Sequence, residues 1–390
     1  MVTAEDLHQK DIKMLYGNTM NEIKGLLAQL GIPLFYAKLG LGMLFSFLIT
    51  FFSIPTIVKI SRRKNLMDEP GTRSSHLRKI PNLGGIALFY SIAVCASIFA
   101  FELFELYKFL FASLVILLYI GVMDDIVIMR AYKKLLAQIV VTSLMVIGSD
   151  VRIRSFFGLF GVYELNYYFS LAISIFTFIV LINAFNLIDG IDGLAGGYSM
   201  ICSAMFGISY FRLGEYNYPL VVLSGVIIGA VTGFLYYNLS NYRKHKAFMG
   251  DTGSMILGFL LAFTAICFID IFIDKELPDV PRYYLQSAPA IAMAILILPI
   301  IDTLNVFIIR VVKGKSPFQA DKNHIHHSLL ELGLTHRRST FYIIVYYLFI
   351  VSVAYYFRHM NVNLLLLLVM ILGFIGAYLP KLLLIIKEKK

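Results

Sequence analysis

The chain has 390 residues, 59% of them apolar and only 15% charged, with a mean hydropathy of +0.78. That composition is too oily for a water-soluble domain of this length and implies a polytopic helical membrane protein. The net charge of +10 does not point to nucleic acid, because the basic residues are spread over many short loops of a lipid-embedded chain.

Residues 1–33 are amphipathic and mixed in charge, lack the n-region and cleavage site of a signal peptide, and read as an extracytoplasmic surface segment. Residues 34–390 read as a single transmembrane domain, so the expected fold class is all-α. About eleven apolar runs are long enough to cross a ~30 Å hydrocarbon core as helix. They cover 35–59, 83–101, 108–123, 135–148, 166–185, 194–211, 218–238, 253–272, 288–309, 340–357 and 362–386. Most Lys and Arg fall in the loops after the odd-numbered runs and at the C-terminus, against Lys108, Arg152, Arg154, Arg212, Lys275, Arg282 and Arg358 on the opposite side. Short loops rich in Lys and Arg stay on the cytoplasmic side, which predicts an external N-terminus and a cytoplasmic C-terminus. Cys95, Cys202 and Cys267 lie inside spans without metal-type spacing and read as small apolar residues.

Five polar stretches fall on that one cytoplasmic side: Met67 to Gly85, Asp124 with Asp125, Asn183 to Gly193, Phe248 to Ser254, and Asp321 to His327. Asp124 and Asp125 end an apolar run, where a carboxylate must be solvated, paired or bound to a cation. Alone, such a pair is equally a helix cap. In NAFNLIDGIDG, Asn186, Asp189 and Asp192 recur at spacing three and share one direction on a helical backbone. Hard oxygen ligands of this kind suit Mg²⁺ with retained waters and substrate phosphates; the bland reading is a polar turn capping two helices. In FMGDTGS, Asp251 opens the next helix, whose N-terminus favours an anion, although a plain N-cap explains the same residue. His324, His326 and His327 lack a fourth zinc ligand and, beside Lys313, Lys315 and Lys322, read as phosphate donors or a general acid or base. The inventory implies phosphate chemistry between one soluble and one lipid-borne partner.

The motifs RSSHLRKIPNLGG, GVMDD, NAFNLIDGIDGLAGG, FMGDTGS, PIIDTLNVFIIR and GKSPFQADKNHIHH, in order from Arg73 to His327, resemble those of the polyprenyl-phosphate N-acetylhexosamine-1-phosphate transferases. The HIHH element and the LLELGLTHRR after it are similar to the undecaprenyl-phosphate N-acetylglucosamine-1-phosphate branch rather than to the phospho-N-acetylmuramoyl-pentapeptide branch. The resemblance implies an enzyme of the bacterial inner membrane, with its active site on the cytoplasmic face. It would transfer a sugar 1-phosphate from a UDP-N-acetylhexosamine to undecaprenyl phosphate and release UMP, as the first membrane step of a cell-envelope polysaccharide such as O-antigen or teichoic acid. N-acetylglucosamine is the first choice of sugar. UDP-FucNAc or UDP-QuiNAc is the alternative donor, and a non-catalytic membrane homologue is the alternative of another class. The partners are then the nucleotide sugar, the lipid phosphate and the bilayer, with no nucleic acid; a homodimer is left open. By the same resemblance Asp251 and Asn186 hold Mg²⁺, for which Mn²⁺ can substitute. One of Asp124 and Asp125 takes the lipid phosphate proton or helps hold metal, Asp189 and Asp192 line the nucleotide-sugar site, and Phe248 stacks on uracil. His324, His326 and His327 bind phosphate or sugar, and Lys79, Asn183, Asn238 and Lys322 complete the expected contacts. Two departures bear on the sugar: Lys79 or Arg78 stands where many relatives carry Pro-x-Pro-Arg, and the long run from Leu239 to Lys246 leaves open whether Asn238 or Asn241 faces the nucleotide. A UbiA-type prenyltransferase would need two D-x-x-x-D helices, and a transporter would need polar breaks at mid-bilayer.

Overall fold

The computed structural model describes residues 33–66, 80–127, 129–242, 244–272, 285–312, 314 and 324–388. The N-terminal segment to residue 32, Lys79 and Lys322 lie outside the described residues. Every apolar run singled out in the sequence is helical. The helices are α1 (Leu34–Arg63), α2 (Gly84–Phe99), α3 (Glu102–Leu106), α4 (Leu110–Ile126), α5 (Ala131–Ser143), α6 (Tyr167–Ile188), α7 (Leu194–Arg212), α8 (Tyr218–Asn238), α9 (Gly250–Ile271), α10 (Ala288–Ile295), α11 (Ile297–Val312), α12 (Ile325–Glu331), α13 (His336–Tyr356) and α14 (Val362–Glu388). Among the described residues eight helical segments are long and apolar enough to cross a membrane, or nine if the bent pair α10 and α11 is one span. The chain is a polytopic helical membrane protein. Helices α2 and α4 are shorter, at 16 and 17 residues.

The core is organised around α9, which packs against α2, α4, α6, α7 and α10 and is almost wholly buried. A helix hydrophobic all round belongs at the centre of a bundle. Helix α1 lies along α8, where Gly229 and Gly233 let the two backbones touch; a Cβ at Gly229 would stand 2.1 Å from the Met43 carbonyl oxygen. Small residues four apart allow such close helix approach within lipid.

Two local features depart from the sequence expectation. Residues Ser155–Leu159 (β1) and Val162–Glu164 (β2) form a short antiparallel hairpin, with Ser155 opposite Glu164, in what reads from sequence as a plain exterior loop. The run expected as one span over 288–309 is broken between Ile295 and Ile297 with a bend of 76°. Pro299 explains the break: it has no N–H to offer the Ile295 carbonyl four residues earlier, and its ring would clash with it. The freed carbonyl is instead satisfied by the Tyr198 hydroxyl at 2.8 Å, the Tyr347 hydroxyl at 2.9 Å and the Cys202 thiol at 3.2 Å. Backbone groups at membrane depth require such partners. The bend redirects α11, which carries Asp302.

Candidate active site

The N-terminus of α9 is the hub on which the predicted motifs meet. Its exposed amides are capped from another helix: Asp125, at the end of α4, accepts the Asp251 N–H at 2.8 Å and the Thr252 N–H at 3.1 Å. Its carboxylate also accepts the Thr252 hydroxyl at 2.6 Å. Helix ends leave such donors without intrahelical partners, so Asp125 locks α4 to α9. Gly250 makes the turn at φ +68°, and a Cβ there would lie 2.0 Å from the Asn82 carbonyl oxygen. The segment before α2 pairs alongside: Phe248 N–H donates to the Pro81 carbonyl (2.8 Å), Gly84 N–H to Phe248 (3.0 Å) and Gly85 N–H to Met249 (2.8 Å). The Gly pair is thus a packing requirement, since a Cβ on Gly85 would stand 2.1 Å from the Gly253 nitrogen.

Asp124 and Asp251 share one cation. Lys134, on the first turn of α5, donates to Asp124 Oδ2 at 3.0 Å and also to Asp251. The Met129 N–H reaches the other Asp124 oxygen at 2.7 Å. Lys134 is a site residue that motif reading missed; the available signal was a lysine at the very edge of an apolar run. Asn186, in the last turn of α6, donates from one amide nitrogen to Asp251 Oδ1 and to Ser254 Oγ, both at 2.8 Å. That assignment leaves the Asn186 oxygen for a cation.

Asp189 and Asp192 sit on the turn joining α6 to α7. Burial first, and then the negative charges of Asp251, Asp125 and Asp192, push the Asp189 carboxyl well above the usual carboxylate range. Asp192 behaves oppositely. Burial alone would raise it, but hydrogen bonds and charge from His336 and Lys246 outweigh that and hold it below its ordinary value. Lys246 forms an ion pair with Asp192, and His336 Nδ1 lies 3.6 Å away. Lys246 also stands 5.8 Å from the centroid of the half-buried Phe248 ring. Asn238 is buried and ties two loops together, accepting the Gly193 N–H at 2.7 Å and donating to the Ala247 carbonyl at 3.1 Å; Asn241 is exposed. Asn183 pairs reciprocally with Gln138 of α5 at 2.6 and 3.3 Å. Both asparagines act here as joints between elements that frame the acids.

The histidines reach the same place. His326 lies against the acid turn, where a Cβ on Gly190 would meet its Nε2 at 2.3 Å. The His324 and His326 rings stack at 5.6 Å with planes 10° apart, and the His327 ring is 4.4 Å from that of His326. Burial first, then the neighbouring His327, His324 and His336, outweigh the attraction of Asp302 and push His326 down to about 3, so it is neutral at physiological pH. Asp302 of α11 accepts the Ile325 N–H at 2.8 Å and meets His324 Nδ1 at 2.7 Å. A lone aspartate inside an apolar run is itself a signal; the motif PIIDTLNVFIIR contains it, but sequence reading gave it no role.

The description glycosyl transferase family 4 matches residues 106–269, a stretch holding Asp124, Asp125, Asn186, Asp189, Asp192 and Asp251. The decaprenyl-phosphate N-acetylglucosaminephosphotransferase of Mycobacterium tuberculosis H37Rv is 30% identical over 343 residues, covering 83% of this chain and 82% of that protein. The chain belongs to glycosyl transferase family 4. The similarity extends to the Mycolicibacterium smegmatis protein of the same description, 29% identical over 345 residues, with 83% of this chain and 82% of the relative covered. The undecaprenyl-phosphate alpha-N-acetylglucosaminyl 1-phosphate transferase of Escherichia coli K12 is 29% identical over 287 residues, or 72% of this chain and 73% of the relative.

Among the described residues of this family 4 chain, the charges at the hub do not balance. Five carboxylates converge, and among the described residues Lys134 and Lys246 are the lysines paired with them. No group of three or more His, Cys, Asp or Glu side chains among the described residues is disposed to hold a metal unaided. Mg²⁺ does not require one, since it keeps waters and takes substrate phosphates as ligands. The free Asn186 oxygen, the Asp251 carboxylate and the repelled Asp189 carboxylate fit that demand.

Proposed function

We propose that this chain transfers N-acetylhexosamine 1-phosphate, with N-acetylglucosamine as the sugar, from a UDP-sugar to undecaprenyl phosphate and releases UMP. A phosphate oxygen of the lipid forms the new bond to the sugar-side phosphorus of the diphosphate. The bond to the bridging oxygen breaks, and its electron pair leaves with UMP. The observation that carries this reading is the surplus of carboxylates, among the described residues, gathered at the N-terminus of α9 beside the histidine cluster. Such a surplus calls for a divalent cation bound together with phosphates.

Asp251 and Asn186 would hold Mg²⁺, or Mn²⁺ in its place, with Asp189 beside them. When bound, the metal supplies the positive charge that phosphoryl transfer demands of its site. The chain's own residues do the rest. The three hydrogen bonds accepted by Asp125 spend it on anchoring α9, which favours Asp124 of the pair for taking the acceptor proton. Lys134 keeps Asp124 and Asp251 from repelling each other, and Lys246 with His336 holds Asp192 ionised. Phe248 offers a half-buried ring for the base, and the histidines offer ring nitrogens to phosphate. The excess of Lys and Arg in the loops on this side supports a cytoplasmic active site in a bacterial inner membrane.

The test is UMP release by purified protein given undecaprenyl phosphate, Mg²⁺ and a panel of UDP-N-acetylhexosamines. Release with UDP-N-acetylglucosamine, stopped by EDTA and restored by Mg²⁺ or Mn²⁺, is the expected result. Turnover undiminished in chelator would overturn the metal role, and release only with a deoxysugar donor would reassign the sugar. Reporter fusions at Arg63 and Lys246 are expected to read cytoplasmic and those at Arg152 and Lys275 external; a swap would overturn the orientation.

A further inference from the structure

Asp302 is 2% exposed on a helix whose other polar residues are Thr303, Asn305 and Arg310, a costly place for a carboxylate unless each oxygen is paired. Both partners come from the short segment opening α12. One oxygen accepts the backbone N–H of Ile325, and the other meets Nδ1 of His324, itself 5% exposed. The same carboxylate therefore grips the histidine ring and the main chain beside it. Capping α12 would need only the backbone contact. The ring contact is the additional feature, and it has a chemical consequence.

A neutral imidazole carries one donor and one acceptor nitrogen, and a carboxylate can only accept. We propose that Asp302 is a positioning residue for the transfer: it holds His324 with its proton on Nδ1 and leaves Nε2 facing the substrate, where that nitrogen accepts a proton and only then donates to a phosphate oxygen. Among the described residues the charged and titratable groups around this ring are Asp302 from α11 and His326 and His327 from α12. His326 stacks parallel to His324 and is held against Gly190, so the ring plane is set from one side by stacking and from the other by the carboxylate. The bend at Pro299 serves the same end, because it sets α11, with Asp302 on its second turn, 76° off the axis of α10 and against α6. This inference rests on the reading that the histidine cluster serves phosphoryl transfer.

Two measurements test it on the full-length protein. Spectra of selectively ¹⁵N-histidine-labelled protein in detergent, assigned by the loss of a signal in His324→Gln, are expected to show His324 protonated on Nδ1 and bare on Nε2. A His324 bearing its neutral-form proton on Nε2 would overturn the inference. That measurement needs no turnover, so a failure to release UMP from any donor, which would sink the transferase reading, is a separate result. In the kinetic arm, Asp302→Asn is expected to lower kcat about 100-fold with the UDP-sugar KM changed by less than about threefold, as for a carboxylate that orients an imidazole. In a His324→Gln background the same substitution is expected to change kcat by less than about twofold, because it acts through the ring already removed. Wild-type turnover in Asp302→Asn, or its full effect surviving in the His324→Gln background, would overturn the positioning role. If Asp302→Asn does not fold, Asp302→Glu takes its place in the cycle, with the same lack of additivity expected.

Discussion

The two ends of α9 carry the same kind of residue and do opposite things with it. Asp251 opens the helix and Asp270 nearly closes it, ~28 Å apart at 1.5 Å per residue. At the far end two acids meet two arginines among the described residues: Asp270 pairs with Arg154, and Asp150 pairs with Arg152 and Arg154, each at 2.7 Å. Burial alone would raise the Asp150 carboxyl, but hydrogen bonds and charge from Arg152 and Arg154 together outweigh it, so it lies below its ordinary value. Among the described residues the cluster gives each acid an arginine partner and fastens the β1–β2 hairpin region to the bundle. At the near end five carboxylates have gathered with fewer ammonium partners among the described residues, and burial first, then the charge of its neighbours, holds Asp189 well above the usual range. A balanced cluster fastens a loop, whereas an unbalanced one is poised to take up a cation and the anions that come with it.

The largest test of that contrast is Asp251→Asn, which exchanges an oxygen of the proposed Mg²⁺ site at almost constant volume. UMP release is expected to fall by on the order of 10³-fold while the protein elutes unchanged in detergent. Asp189→Asn separates function from stability. Turnover is expected to fall at least ~100-fold, while the metal-free protein melts several degrees higher at pH 7. The sign follows from linkage: a carboxyl raised in the folded state contributes stability below its unfolded pKa and loses it as pH rises through the folded value. The gain from Asp189→Asn should therefore shrink as pH is lowered toward 4, and a gain independent of pH would break the account. His326 works in the other direction, because its folded value near 3 lies below its unfolded one. It withdraws stability as pH falls from about 6.5 toward 3, and His326→Gln should flatten that part of the melting curve.

Smaller effects sharpen the comparison. Asp125→Asn weakens the cap on α9 and is expected to cost ~1 kcal/mol, read as a lowered melting temperature, with a parallel loss of turnover from a displaced Asp251. Arg154→Gln, at the balanced end, is expected to lower the melting temperature by a few degrees yet leave turnover within about twofold. A large loss of turnover there would mean that the two ends are coupled.

The membrane class, the helical segments and the membership of most of the site were legible in the chain, because each depends on local quantities. Apolar runs declare helices wherever they occur, and carboxylates at the edge of such runs announce themselves by their cost. The break at Pro299 was also legible in principle, since proline removes a hydrogen bond four residues back in the sequence; the three groups that satisfy Ile295 come from α7 and α13 and were not. Asp125 reads alike from sequence as ligand, base or cap, and only its contact with residues 126 and 127 positions away made it the cap of α9. Lys134 and Asp251 are 117 residues apart, and Asp302 and His324 are joined across a segment outside the described residues. Sequence by itself determined which groups lie near the membrane surface, because hydropathy acts on neighbours along the chain. Tertiary packing decided which of them share a proton, a cation or a helix end, because electrostatic pairing acts through space and takes its partners from wherever the bundle brings them.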